Sequence, residues 1–257
     1  MTIFISENLP QQPAFLFASY GPTASASASS SASGYLAADV LQADENNGWK
    51  PATTAQAQIT IDLGSIVLND HVALAGNNFA GVSIFVSGSS DGVNFSNTLI
   101  PTTLISAKGE AWFKYAPASF RYLRIAMVGH SSAFQIKHVL FGLLVPLPFL
   151  EDGACLNPIQ SEGQHLISYA GLYLGSVTQR VTRPFSLSFG QVTAVEEAAF
   201  SAWMAACVQT AQAFFFVPDL AEPLCYFGYV DKKWKYEATM KTGMATIPKI
   251  PFTARVL

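Results

Sequence analysis

The chain has 257 residues and a formal net charge of −3; half its residues are hydrophobic and 12% are charged, with a mean hydropathy of +0.30. Globular chains are usually about a quarter charged, so Ser, Thr, Asn and Gln must supply much of this surface, and the apolar excess must be buried in a membrane or against partners. The longest apolar run, Val139–Leu150, is interrupted by Pro146 and Pro148 and cannot span about 30 Å of hydrocarbon, which excludes helical membrane insertion and favours burial in partners. Residues 21–145 hold seven acids and six bases and residues 146–257 nine and eight, so neither half offers the basic face that nucleic-acid binding needs.

The first 20 residues read as a short apolar arm or strand, with Phe4, Ile5, Phe15, Leu16 and Phe17 around Pro10 and Pro13. They lack the basic stretch, apolar run and small-residue cleavage site of a signal peptide, and none is expected. Residues 24–33 alternate Ala and Ser, which by composition is a flexible linker. From Tyr35 to Leu144 the pattern changes to short strands between turns. Ile59–Leu63 alternates at period two. Val82–Val86 is a second strand, and Ser89-Ser90-Asp91-Gly92 after it is a turn in which glycine supplies a positive φ. Phe120-Arg121-Tyr122-Leu123-Arg124-Ile125 alternates again, and Ile136–Phe141 closes the region. Strands about every ten residues without a helix predict a β-sandwich.

Three of these pieces, Gln58-Ile-Thr-Ile-Asp-Leu-Gly64, Ser89–Gly92 and Phe120–Ile125, in this order and spacing, resemble the discoidin family, also called the coagulation factor 5/8 C-type or galactose-binding-like fold. The resemblance implies a jelly-roll β-sandwich over residues 21–145. Its members mostly bind sugars or lipid headgroups. It also implies that the Ala-Ser stretch is ordered as the opening of the domain, against the linker reading, and that Trp49 plugs the core. The terminal disulfide common in secreted relatives is absent, because the cysteines are Cys155, Cys207 and Cys225. That odd count without a CxxC spacing fits synthesis in a reducing compartment.

Pro146 and Pro148 mark a boundary. Residues 146–257 read as strands at Leu172–Val177 and Phe185–Phe189, a helix near 193–212, then strands at Phe214–Val217, Cys225–Val230, Lys233–Met240 and Pro251–Val256. Thr193 with Glu196 three residues on forms a capping box. The helix is apolar nearly all round and must be covered on most sides; Phe200, Trp203, Met204 and Cys207 suit a sheet, and its alanines permit close approach of another element. This mainly β domain with one central α-helix resembles the tail-tube-like fold of tail-tube, distal-tail and baseplate proteins of long-tailed bacteriophages. The resemblance is carried by Arg183–Gly190, the capped helix with Trp203, and the ending Gly243–Arg255. In that arrangement the N-terminal arm pairs with the C-terminal domain and the sandwich is an insertion.

Chemistry-bearing motifs are sparse. His71, His130, His138 and His165 are isolated, with no HxxxH or HExxH spacing, and no GxSxG or phosphate-binding glycine loop is present. No enzyme activity, metal or cofactor is expected. Asp62 reads as ordering its strand end, Asp91-Gly92 as a turn, and Arg121 and Arg124 as ion-pairing or lying over the sandwich. No acidic cluster supports the calcium that some discoidin-like modules hold. The sugar candidates are Asn77, Asn78 and Phe79, an amide pair beside an aromatic ring after an apolar strand, with His130 nearby. Lys232–Tyr236 interleaves bases and aromatics, which a half-buried strand explains. The leading expectation is therefore a structural component of a phage tail tip or baseplate, made in the host bacterial cytoplasm and located in the virion. It would form a homo-oligomeric ring with other tail proteins, and its sandwich would contact host-surface polysaccharide. The alternative is a stand-alone carbohydrate-binding, lectin-like protein.

Overall fold

In the computed structural model the described residues are 13–18, 23–42, 47–53, 56–107, 109–128, 134–147, 155–156, 160–167, 173–187, 191–209, 212–230, 239–241, 244–246 and 250–255. The strands of the first half are β1 (Ala14–Leu16), β2 (Ser25–Ala28), β3 (Ala57–Asn77), β4 (Ser83–Ser89), β5 (Asn97–Leu104), β6 (Glu110–Val128), β7 (Gln135–Gly142) and β8 (Val145–Pro146). A 3₁₀ turn at Ala37–Leu41 interrupts the all-strand pattern expected there. The second half contains β9 (Cys155–Leu156), β10 (Gln160–Ile167), β11 (Tyr173–Leu187), β12 (Gln191–Val192), α1 (Ala194–Trp203), β13 (Phe214–Val217), β14 (Tyr226–Val230), β15 (Thr239–Lys241), β16 (Met244–Thr246) and β17 (Ile250–Arg255).

Two long strands build the sandwich by serving both of its sheets. Residues 57–62 of β3 pair with β2 and with residues 122–127 of β6, which continue to β4 and β5. Beyond a register break at Asp62/Val67, residues 67–75 of β3 pair with residues 110–120 of β6, and β7 adds to the far side. Register breaks of this kind let one strand bend from sheet to sheet. The two halves close over one core: Ile59, Ile61 and Leu63 from one sheet meet Val72, Leu74, Val139 and Phe141 from the other. Trp49 fills this core and donates its indole N–H to the Ser30 carbonyl at 2.8 Å. The Ala-Ser stretch is ordered, with Ser25–Ala28 paired to Ile59–Asp62.

The second sheet runs β10-β11-β17-β14-β13-β1-β8. Its strands β1 and β8 flank the sandwich in sequence, Phe15 lying opposite both Phe216 and Val145. The sandwich is thus inserted between two strands of the other domain's sheet. Side chains of a strand point alternately to opposite faces. Phe214 and Phe216 accordingly face α1, where they join Phe15, Phe200 and Trp203. Phe215 and Val217 face the other way, onto Ala73, Ala75, Trp112 and Leu140 of the sandwich. Four layers result: sheet, sheet, sheet and helix. The middle of the C-terminal sheet is apolar on both faces because both are covered, as continuous apolar strands generally are. Part of the chain's hydrophobicity is buried in this seam.

The helix begins as its sequence requires. Thr193 Oγ1 accepts from the Glu196 N–H, and the Glu196 carboxylate accepts from the Thr193 N–H at 2.7 Å. The α-helical hydrogen bonding ends at Trp203, and Met204–Gln209 continues as a wider π turn, so the regular helix is shorter than the 193–212 span. The basic-aromatic stretch Lys232–Tyr236 lies outside the described residues, as does the loop holding His130.

Candidate functional site

β3 ends at Asn77, next to the start of β7, where Asn77 lies opposite Gln135. The Gln135 amide reaches the Asn47 carbonyl at 3.5 Å. Asn78 follows with φ of 60°, a left-handed conformation that asparagine tolerates better than most residues. Asn47 and Asn78 are exposed, and Asn77 and Gln135 are half-buried. Strand register and the Gln135 contact with the Asn47 backbone therefore bring four amide-bearing residues, Asn47, Asn77, Asn78 and Gln135, to one end of the sandwich. Asn47 and Gln135 carry no local signal in the sequence; strand register alone brings them to the Asn77-Asn78 pair.

Backbone hydrogen bonds hold this end in place. Gly76 donates to the Gly109 carbonyl at 2.7 Å, Gly81 to Ile105 at 3.0 Å, Ile105 to Val82 at 2.8 Å and Val82 to Phe79 at 2.9 Å. Phe79 departs from its expected role. Its ring is fully buried in the sandwich core and lies against Gly76, where even a Cβ would collide with it. It cannot offer a stacking face to a sugar; it anchors the loop that presents Asn78. The site as described is a set of amides, able to donate and accept hydrogen bonds in pairs.

Four charged residues of the sandwich, Asp62, Arg121, Arg124 and Asp91, serve structure. Asp62 accepts from Arg121 Nε at 2.8 Å and Nη2 at 2.9 Å, and from the Gly64 N–H at 2.8 Å. This bidentate pair is the main reason its carboxyl lies below the usual range. Arg124 spreads its guanidinium over the Phe95 ring, 3.6 Å from the centroid. Asp91 accepts from the backbone N–H groups of Val93 and Asn94 at 2.9 and 2.8 Å, and from Ser89 Oγ and Asn94 Nδ2. Those backbone donors hold its carboxyl far below normal. The carboxylate is consumed by the turn, and among the described residues no group of three or more His, Cys, Asp or Glu is placed to hold a metal.

A buried polar pair sits where β7 leaves the sandwich. His71 is fully buried, and its Nδ1 lies 3.0 Å from Asp70 Oδ1. Asp70 also accepts from the Leu144 N–H at 2.9 Å, and Tyr115 donates its hydroxyl to the His71 carbonyl at 3.0 Å. Burial pushes the His71 pKa down despite Asp70 and the Tyr115 phenol up. An ionised carboxylate only accepts, so Nδ1 carries the proton of a neutral imidazole. The ring is closed to solvent, and Asp70, through the Leu144 N–H, tethers the crossing to β8. His138 is buried too, donating to the Gln42 carbonyl at 2.8 Å. Cys207 and Cys225 are buried thiols; burial pushes Cys207 up to about 12 and Cys225 well above its ordinary value, which suits packing and disfavours nucleophilic chemistry.

The F5/8 type C domain family matches residues 25–138. No curated protein matches the chain. Among solved structures, the CBM32-5 module of CpGH89 from Clostridium perfringens, in complex with GalNAc-β-1,3-galactose, is 15% identical with a TM-score of 0.43, covering 47% of this chain and 95% of that one. Chitosan-binding module 1 of a chitosanase/glucanase from Paenibacillus sp. IK-5 is 20% identical with a TM-score of 0.41, covering 46% and 92%. The CBM32 of AlyQ, in complex with 4,5-unsaturated mannuronic acid, is 22% identical with a TM-score of 0.41, covering 48% and 95%. The family match spans β2 to β6 and reaches into β7. Residues 25–138, the greater part of the sandwich, thus match the F5/8 type C domain family, and the sandwich is inserted between β1 and β8 of the second sheet.

Proposed function

We propose that the protein binds carbohydrate through the loop end of its discoidin-like sandwich. The observation that carries this reading is the gathering of Asn47, Asn77, Asn78 and Gln135 on hydrogen-bonded loops at one end of an F5/8 type C domain. Paired amides suit adjacent sugar hydroxyls, donating to one oxygen and accepting from its neighbour. With Phe79 buried, affinity rests on hydrogen bonds rather than on ring stacking. Such a site favours weak individual contacts, and strong attachment would then come from several copies acting together. A glycan array probed with the full chain tests it. Binding to a defined saccharide class, lost in the Asn77→Ala/Asn78→Ala variant at unchanged melting temperature, is the expected result; no binding to any saccharide would sink it.

A second reading is a bacteriophage tail-tip or baseplate component that assembles with copies of itself and other tail proteins and displays the sandwich toward host-surface polysaccharide. One observation favours it: the sandwich is an insertion between β1 and β8 of the other domain, the arrangement of a display module on a scaffold. Electron microscopy and light scattering of the purified chain test this reading through ring-shaped oligomers. A monodisperse monomer without affinity for tail proteins contradicts it.

A further inference from the structure

A cleft of about 400 Å³ opens where the sandwich meets the second domain, within the size range of small-ligand sites, about 300–1,000 Å³. Both domains build it. Strand β5 contributes Pro101 and Thr103, β6 contributes Phe113 and Lys114, and the turn before β14 contributes Glu222 and Pro223. The turn is held rigidly. Its Ala221 N–H donates to Asp219 Oδ1 at 3.0 Å and its Glu222 N–H to the Asp219 carbonyl at 3.1 Å. Trp112, almost wholly buried in the seam, donates its indole N–H to the Glu222 carbonyl at 3.2 Å and pins the turn to the sandwich. Only the inserted arrangement creates the cleft, since neither domain supplies all its walls.

The chemistry of the walls selects the occupant. The exposed Pro101 and Pro223 and the half-buried Phe113 supply the apolar part of the lining. The rim carries one exposed ammonium, Lys114, one exposed carboxylate, Glu222, and the Thr103 hydroxyl. That hydroxyl donates to the Pro101 carbonyl at 2.7 Å, leaving its lone pairs to accept from a ligand. The lining carries one cation and one anion, so no net charge favours a phosphate or polyanion. Among the described residues no strand pairs with the outer side of residues 110–120 of β6, and an extended peptide adding there meets Lys114 and Pro117, the residue types that guard sheet edges. A neutral sugar suits the cleft: its C–H face lies on the apolar lining, and its hydroxyls donate to a carboxylate and accept from an ammonium.

We propose that this inter-domain cleft is a second saccharide site, taking a neutral oligosaccharide segment, distinct from the loop end. Lys114 lies opposite His71, and Asn77 is six positions further along β3 (77 − 71), so at about 3.3 Å per residue the two sites are about 20 Å apart. The proposal shares the carbohydrate class with the loop-end reading and is separable from it by experiment. The full chain is titrated calorimetrically with lactose, cellobiose, chitobiose and maltotriose. The same titrations are run on Lys114→Met/Glu222→Gln, on Thr103→Trp to fill the cleft, and on Asn77→Ala/Asn78→Ala. All changed side chains but the half-buried Thr103 and Asn77 are exposed, and melting curves check each fold. At least one saccharide should bind the wild type and lose about tenfold in affinity in Lys114→Met/Glu222→Gln, the loss expected when hydrogen bonds to charged groups are removed, and at least as much in Thr103→Trp, whose ring fills the space. The loop-end variant should retain that component. If the cleft variants bind every saccharide as the wild type does, or the wild type binds none, the cleft proposal falls. Loss of all binding in the loop-end variant alone overturns the cleft and upholds the loop end, and the reverse pattern does the opposite.

Discussion

Phe15→Ala removes the keystone of the helix-side core. Phe15 has no solvent exposure and stacks on Trp203 at 4.2 Å and 16°. It meets Phe214 edge-on at 5.1 Å and tilts against Phe216 at 5.9 Å and Phe200 at 6.4 Å. Burying an aromatic residue and then truncating it costs about 3–5 kcal/mol. Four aromatic neighbours, two on α1 and two on β13, cannot all collapse into the void and place this site toward the upper end, about 4–5 kcal/mol. That is a large part of the roughly 5–15 kcal/mol that stabilises a typical protein. At about 2–4 °C per kcal/mol for a chain of this size, the melting temperature falls by roughly 8–20 °C. Scanning calorimetry measures the loss, and hydrogen exchange locates it. Peptides over 194–217 should lose protection first, while Ile59–Leu63 and Leu123–Met127, in the separate sandwich core, keep theirs. A loss below about 1 kcal/mol, or protection lost equally in both regions, refutes the assignment of residues 14–16 to the C-terminal sheet.

Three further outcomes are expected. His71 is held neutral below its ordinary pKa of 6.5, so the unfolded chain binds the proton first. Its contribution is complete above about pH 6.5 and is lost as pH falls toward the folded value, and Asp70, also lowered from 3.8, extends the loss further into acid. The fall in melting temperature between pH 7.5 and 5 should be shallower in His71→Gln than in the wild type; equal slopes would show that His71 does not carry it. Gly76→Ala should cost about 1–3 kcal/mol in denaturant titration, because its Cβ would collide with the Phe79 ring and the Gln135 carbonyl, and a neutral result would contradict the packing that anchors the amide loop. Cys207 and Cys225 should resist iodoacetamide in the folded chain and react at once in guanidinium, as read by mass spectrometry; rapid labelling of the native protein would show that the seam opens.

The sandwich was legible because its evidence is local. Period-two alternation around Asp62, a glycine turn at Gly92 and the Phe120–Ile125 strand each follow from short-range sequence, and Thr193 with Glu196 announced the helix start. What the sequence concealed is long-range. Phe214–Val217 reads as a strand, but a continuous apolar run does not say what covers each face; the division of Phe215 from Phe214 and Phe216 emerges only when the sandwich is docked. Phe79 looked like a loop aromatic beside two amides. The signal against that was Gly76, three residues back, whose missing side chain makes the seat for its ring. Asn47 and Gln135 join the amide site only through strand pairing, and the cleft over β6 needs both domains, so neither is visible in any one stretch of the chain.

The carbohydrate reading rests on the amides at the loop end, and mapping that surface with a ligand tests it most directly. Backbone amide shifts of the isotope-labelled full chain are followed while the strongest saccharide from the array is added. The largest changes should fall on Asn47, Asn77, Asn78 and Gln135, with a separate set at Lys114 and Glu222 for a ligand of the cleft. Binding that shifts neither set, or no binding at all, would contradict the account.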